Sequence, residues 1–260
     1  MPNHVAIVGI VGLPARYGGF ETLADYLTLY LSDRFELTVY CSSKECTSKP
    51  EFHNGARLRY LPLKANGIQS ILYDGLSMFR AIRHADSILI LGVSGCVALP
   101  LLSLISRKRL VVNIDGLEWK REKWSLFARW FLKISERLAV AFANSVVTDN
   151  KVIHDYVLRE YSKDSNVIAY GGDHASDLAF SDSTIADYPF LKQHYAFSVC
   201  RIEPENNLHL ILEALQQLVT TEWWPYCFWS GVAKAACKNE CLMTFKGKDE
   251  IKARREESVP

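Results

Sequence analysis

The chain has 260 residues, of which 49% are hydrophobic and 23% charged, with a formal net charge of +1. That is too apolar for a disordered chain, and it gives no overall field for nucleic acid. The length admits one large domain or two small ones at roughly 100–200 residues each. Seven cysteines, an odd and scattered number with no leader peptide ahead of them, favour a reducing cytoplasm.

From the N-terminus, Val5-Ala6-Ile7-Val8 is a continuous apolar run, as a strand buried on both faces requires. A loop with Gly9, Gly12, Gly18 and Gly19 follows, and then apolar residues at 20, 23, 24, 27 and 31 keep helix spacing. Further strands are predicted at Glu36–Cys41, Arg57–Leu61, Ser87–Leu91, Leu110–Ile114, Ser145–Thr148 and Asn166–Ala169. Helices are predicted between most of them, at Ile68–Arg83, Val97–Ser106, Glu122–Ala143 and Lys151–Tyr161. Repeated strand-helix units give an α/β fold, a Rossmann-like parallel sheet with helices on both faces. The apolar stretch 87–105 is interrupted by Gly92, Gly95 and Pro100, so it reads as strand, loop and helix rather than a membrane span.

Residues 1–172 therefore form one domain, and the polar stretch 173–194 reads as a linker. A second domain opens over 195–220 with a short strand and a helix, and is incomplete. From Lys234 to Pro260 twelve of 27 residues are charged, so 221–260 reads as an irregular tail. Cys41, Cys96 and Cys200 read as buried thiols, and Cys237 and Cys241 lack partners at metal-ligand spacing. The histidines form no ligand cluster, and no metal is expected.

A strand, a glycine loop and a helix N-terminus suit an anion, because free N–H groups and the helix dipole converge there. The spacing of glycines 9, 12, 18 and 19 is not the tight G-x-G-x-x-G of dinucleotide binding, which argues against an oxidoreductase. Glycines that merely turn a strand into a helix remain the alternative. Arg16, Tyr17 and Glu21 beside the turn add ligand-binding chemistry.

Asp115 and Glu118 follow a predicted strand at the end where parallel sheets place ligands. Carboxylates there can orient an acceptor hydroxyl or help deprotonate it. They also stand at capping-box spacing before the next helix, an equally open reading. Between Arg107 and Arg137 nine Lys/Arg outnumber four Asp/Glu, interleaved with Trp119, Trp124, Phe127, Trp130 and Phe131. That pattern suits either an anionic membrane surface or a core helix with a charged outer face.

Four ordered segments, running from Val8-Gly9-Ile10-Val11-Gly12-Leu13-Pro14-Ala15-Arg16-Tyr17-Gly18-Gly19-Phe20-Glu21-Thr22 through 113–124 and 167–173 to 200–207, resemble family 4 glycosyltransferases related to bacterial rhamnosyltransferases. The resemblance implies the first half of a two-domain GT-B-type enzyme with its cleft between facing domains. It implies retaining transfer of a deoxyhexose, rhamnose from a dTDP-linked donor, to a lipid-linked saccharide in surface-polysaccharide (O-antigen or capsule) synthesis. Asp115 and Glu118 would be catalytic. Gly18, Gly19, Arg201 and Glu203 would bind the donor, and Arg16, Tyr17, Glu21 and Trp119 the acceptor. Neither metal nor cofactor is implied, because N–H groups and basic side chains neutralise the departing diphosphate. The expected place is cytoplasmic, peripheral on the inner membrane face. The sequence departs from the family where Asn206 and Asn207 stand in place of a lysine and where the donor motif is missing after 220. A non-catalytic acceptor-binding domain completed by a partner chain is the second reading.

Overall fold

The computed structural model describes residues 3–16, 18–121, 124–172, 179, 181–192, 195–199, 206–219, 226–231, 241–246 and 250–255. The chain divides into two compact units, Met1–Gly172 and Asp173–Pro260.

The first unit is built on eight strands: β1 (His4–Val8), β2 (Glu36–Ser42), β3 (Phe52–His53), β4 (Ala56–Leu61), β5 (Ser87–Leu91), β6 (Arg109–Ile114), β7 (Ser145–Thr148) and β8 (Asn166–Val167). Their order is β3-β4-β2-β1-β5-β6-β7-β8, and every ladder is parallel except β3–β4. Among the described residues the α-helices of this unit are α1 (Gly19–Leu31), α2 (Gln69–Ala81), α3 (Leu99–Ile105), α4 (Leu126–Phe142) and α5 (Lys151–Tyr161).

Strand side chains alternate between the two faces of a sheet, so each strand feeds two cores. Ala6, Val8, Ile88, Ile90, Val112 and Ile114 pack with Tyr73 and Met78 of α2, Leu99 and Leu102 of α3, Ala139 and Val140 of α4, and Val157 of α5. Ile7, Leu37, Val39 and Leu91 pack with Ala24 of α1 on the opposite face. Helices thus cover both faces, four of them on one. Tyr73 ties α2 to the loop after β1 and to strand β2, its hydroxyl directed at the carbonyls of Ile10 (2.9 Å) and Tyr40 (2.8 Å).

Three details differ from the sequence reading. The helix predicted from Glu122 starts at Leu126, where the Ser125 hydroxyl accepts from the Ala128 N–H at 3.3 Å, and a single 3-10 turn, Glu118–Lys120, precedes it. Ser125 is therefore the cap of α4, and the capping role weighed for Asp115 and Glu118 does not hold. A two-residue strand, β3, is also present. Asn54 and Gly55 both have positive φ (47° and 79°) and turn β3 into β4, as an Asn-Gly hairpin turn does. Among the described residues no helix is long and apolar enough to cross a membrane.

The second unit contains α6 (Asp182–Asp187) and α7 (Leu208–Val219), with strands β9 (Tyr195–Val199), β10 (Tyr226–Gly231), β11 (Cys241–Lys246) and β12 (Glu250–Arg255). The four strands form one sheet in the order β12-β11-β10-β9, parallel only between β9 and β10. Three of these strands, β10, β11 and β12, lie in the stretch 221–260 read from sequence as an irregular tail. A charge count hides the alternation of Ile251 and Ala253 with Lys252 and Arg254, a period of two that a strand accepts.

Candidate functional site

The strand order reverses between β1 and β5, and a parallel sheet opens a ligand crevice at the C-terminal ends of the strands where this happens. The loop after β1 forms one wall. Gly9 has φ +96°, and a Cβ there would lie 2.2 Å from the Leu91 carbonyl oxygen, so only glycine lets the loop close onto the end of β5. Gly18 has φ +123° and precedes α1; a Cβ there would meet the Glu21 carboxylate at 2.0 Å. Beside Gly19 nothing lies within 4 Å of an added Cβ. The open side of the helix N-terminus is therefore at Gly19.

Helix α1 reaches back to hold this loop. Glu21 accepts from the Val11 N–H at 2.9 Å, and Asp25, one turn later, accepts from the Ala15 N–H at 3.1 Å. Asp25 is itself gripped by His53 Nε2 at 2.6 Å and Asn54 Nδ2 at 3.0 Å. Glu21, read from sequence as an acceptor ligand, is thus engaged as a brace of the loop, and Arg16 is exposed at its tip. Sequence reading missed Asp25, His53 and Asn54. The spacing of Glu21 and Asp25 and the Asn-Gly turn were the available signals.

The second wall is the loop after β5. Asp74 of α2 is 4% exposed and accepts from the Ser94 hydroxyl at 3.0 Å and from the Gly95 N–H. A Cβ on Gly95 would lie 2.2 Å from Asp74 Cβ. From the other side the buried Ser135 hydroxyl of α4 donates to the Val93 carbonyl. Burial raises the Asp74 pKa from 3.8 to about 7, against the lowering by its two hydrogen bonds.

The acidic corner lies at the ends of β6 and β7. Ile114 pairs with Thr148, so the next residues on each strand, Asp115 and Asp149, leave the sheet side by side. Loss of solvation, then the Asp149 and Glu118 carboxylates, raise the Asp115 pKa above its usual value. Glu118 is bound within its own turn: Arg121 donates to it at 2.7 Å and Trp124 Nε1 at 3.2 Å. That engagement sets Glu118 apart from Asp115 as a candidate base. Tyr170, after β8, closes the corner; it is hydrogen-bonded to Asn113 and feels both Asp115 and Asp149.

Trp119 faces inward. The Lys133 ammonium lies 4.8 Å from its ring centre, 4.9 Å from that of Tyr156 and 5.0 Å from that of Tyr161. The same ammonium pairs with Glu160 at 3.2 Å and with the buried Glu136 at 3.5 Å, while the Tyr156 hydroxyl donates to Glu136 at 2.6 Å. Trp119, read as an acceptor contact, is packed here as the anchor of the acidic turn on α4 and α5. Tyr17, Arg201 and Glu203 lie outside the described residues. Among the described residues no group of three His, Cys, Asp or Glu side chains is placed to hold a metal ion.

The chain shares its fold with several solved sugar-transferring enzymes. Sucrose-phosphate synthase from Thermosynechococcus elongatus matches with a TM-score of 0.62 at 12% identity, over 83% of this chain and 60% of that one. The catalytic domain of starch synthase IV from Arabidopsis thaliana, bound to ADP and acarbose, matches with a TM-score of 0.64 at 11% identity, over 90% of this chain and 69% of that one. Anabaena HepE in complex with UDP and glucose matches with a TM-score of 0.54 at 16% identity, over 84% of this chain and 58% of that one. The chain thus spans about 60% of the length of the sucrose-phosphate synthase. At these identities the likeness is one of fold, the Rossmann-like GT-B fold of glycosyltransferases. No curated protein matches at the level of sequence. Residues 2–173 match the family described as "Domain of unknown function (DUF1972)", and the chain belongs to that family.

Proposed function

We propose that the chain is the acceptor-side part of a glycosyltransferase that moves a deoxyhexose, rhamnose, from a dTDP-linked donor to a lipid-linked saccharide of a surface polysaccharide. One observation carries the proposal: the open N-terminus of α1 at Gly19 and the Asp115 corner stand on the same C-terminal edge of one sheet. Only β5 separates β1 from β6, so the two loops leave the sheet about 10 Å apart. The fold shared with enzymes solved with ADP and with UDP and glucose supports the nucleotide-sugar part. The rhamnose and the O-antigen or capsule role rest on the motif resemblance alone.

In this reading the Gly18-Gly19 turn meets the donor diphosphate through backbone N–H groups and the α1 dipole. Arg201 and Glu203 belong to the donor side, and Asp115 accepts a hydrogen bond from the incoming hydroxyl. With Asn206 and Asn207 in place of the expected lysine, leaving-group stabilisation is weak, and the chain by itself is a slow catalyst. The expected location is cytoplasmic, peripheral on the inner membrane face. Leu126, Phe127 and Trp130 of α4 are exposed beside Arg129, which supports contact with an anionic lipid surface.

Calorimetric titration of the purified chain with dTDP-rhamnose, followed by transfer to a lipid-linked saccharide, tests the reading. Binding with slow transfer is the expected result. Binding of a saccharide with no binding of any nucleotide sugar would leave only a non-catalytic acceptor-binding domain.

A further inference from the structure

Asn113 lies on β6 two residues before Asp115, which follows the strand's end, so extended backbone directs both to the same side. It is the opposite face from Val112 and Ile114, which pack under α2, α3 and α4. Asp149 stands beside Asp115 in register, with one carboxylate oxygen accepting from Asn150 Nδ2 at 2.8 Å. The Asn113 side chain is 4% exposed, and its Oδ1 atom is buried with no hydrogen-bond partner. A buried acceptor left unpaired is costly, so such atoms are normally satisfied by protein, water or a ligand. Beside it lies Tyr170, 42% exposed on the loop after β8, which is hydrogen-bonded to the Asn113 amide through its NH2 group and not through Oδ1.

The groups gathered here mainly accept hydrogen bonds. Asp115 and Asp149 contribute two carboxylates, Asn113 an orphaned amide oxygen, and Tyr170 a hydroxyl that can serve in either role. The Arg121 guanidinium, which acts on Asp115, is paired with Glu118. A ligand that fits must bring donors without negative charge, and a polyol does this with several hydroxyls at once.

We infer that Asn113, Asp115, Asp149 and Tyr170 form a site for an uncharged, hydroxyl-rich glycosyl unit and discriminate against phosphorylated or carboxylated sugars. The inference rests on the glycosyltransferase reading for its role: this unit is the saccharide end that receives the transferred sugar. One hydroxyl takes up the Asn113 oxygen while neighbouring hydroxyls donate to the two aspartates. A sugar phosphate would set its own charge against both carboxylates, which keeps the donor diphosphate away from this corner.

The test is saturation-transfer and titration NMR on the full chain with methyl α-rhamnoside, methyl α-mannoside, a hexose 6-phosphate and a hexuronate. The neutral glycosides should bind at least tenfold more tightly than the charged sugars. Asp149→Ala and Tyr170→Ala, both at accessible positions, should each weaken neutral binding at least fivefold. Asn113→Ala should do the same where circular dichroism shows that it folds. Equal binding of charged and neutral sugars, no binding of the neutral ones, or neutral binding untouched by Asp149→Ala and Tyr170→Ala would overturn the inference. dTDP-rhamnose is titrated in parallel. Nucleotide binding without glycoside selectivity removes this inference and leaves the transferase reading. Selective glycoside binding without nucleotide binding does the reverse.

Discussion

Asp74 offers a direct measurement of how the loop after β5 is held. Its carboxyl is buried on α2, beneath Ser94 and Gly95, with a pKa of about 7 in the fold against 3.8 for the free side chain. The unfolded chain therefore gives up this proton about three pH units before the native one does. At about 1.4 kcal/mol per pH unit, folding forfeits on the order of 4 kcal/mol once the solution is well above pH 7. The direction is that of a raised native pKa: the contribution to stability is whole below about pH 3.8 and is lost as pH rises through about 7. Between pH 5 and pH 8 the loss is about 2.5 kcal/mol. Asp74→Asn keeps one acceptor oxygen for Ser94 or Gly95 and carries no proton to lose. Urea denaturation at pH 5 and pH 8 should show the variant gaining on the natural chain by about that amount at the higher pH. Asp115 is raised in the same sense, so the variant flattens the pH profile without levelling it. Identical pH slopes in the two proteins would refute the argument and show that Asp74 is ionised within the fold.

Gly19→Val should fold normally, since open space surrounds the position, and should lose dTDP-rhamnose binding in calorimetry; retained binding would move the phosphate site elsewhere. Lys133→Met removes the cation shared by Glu136, Glu160 and three aromatic rings, and should cost about 3 kcal/mol in urea denaturation because a buried carboxylate loses its counter-charge. A change below about 1 kcal/mol would show that the two tyrosine hydroxyls satisfy Glu136 alone. Liposome flotation should recover the chain with anionic vesicles and lose it with neutral ones, each surface cation adding about 1 kcal/mol, and Phe127→Glu with Trp130→Glu should abolish recovery. Equal recovery in both vesicle types would remove the membrane reading.

The scaffold was legible because strand-helix alternation is a local signal. Val5–Val8 and Ile88–Leu91 are continuous apolar runs, and a strand covered on both faces has no polar side to show. The hairpin at Phe52–His53 escaped because two residues are too short for any period to register, although Asn54-Gly55 marked its turn. The start of α4 was placed early because Trp124 continues the mix of charge and aromatics that runs through Phe127 and Trp130. The Ser125 cap sets the true start at Leu126, and Trp124 is tied back to Glu118 instead.

The site residues divide along a physical line. Motif reading selects carboxylates by type and position, but a carboxylate near a glycine loop has two uses: it can face a ligand or satisfy the loop's own N–H groups. An irregular loop leaves many such groups unpaired, and leaving one buried costs more than a surface contact returns. Glu21, Asp25 and Glu118 take the second use, each with a partner inside its own wall of the crevice. Asp115 and Asp149 differ because strand register, not a local partner, sets them together. The Asp149 carboxylate raises the cost of charge on Asp115, an arrangement that gains only when something donates to both. Register between strands 34 residues apart is invisible to a local pattern, so Asp115 stood out in the sequence and Asp149 did not. The geometry makes them one feature, and substituting Asp149 should then disturb acceptor binding as much as substituting Asp115.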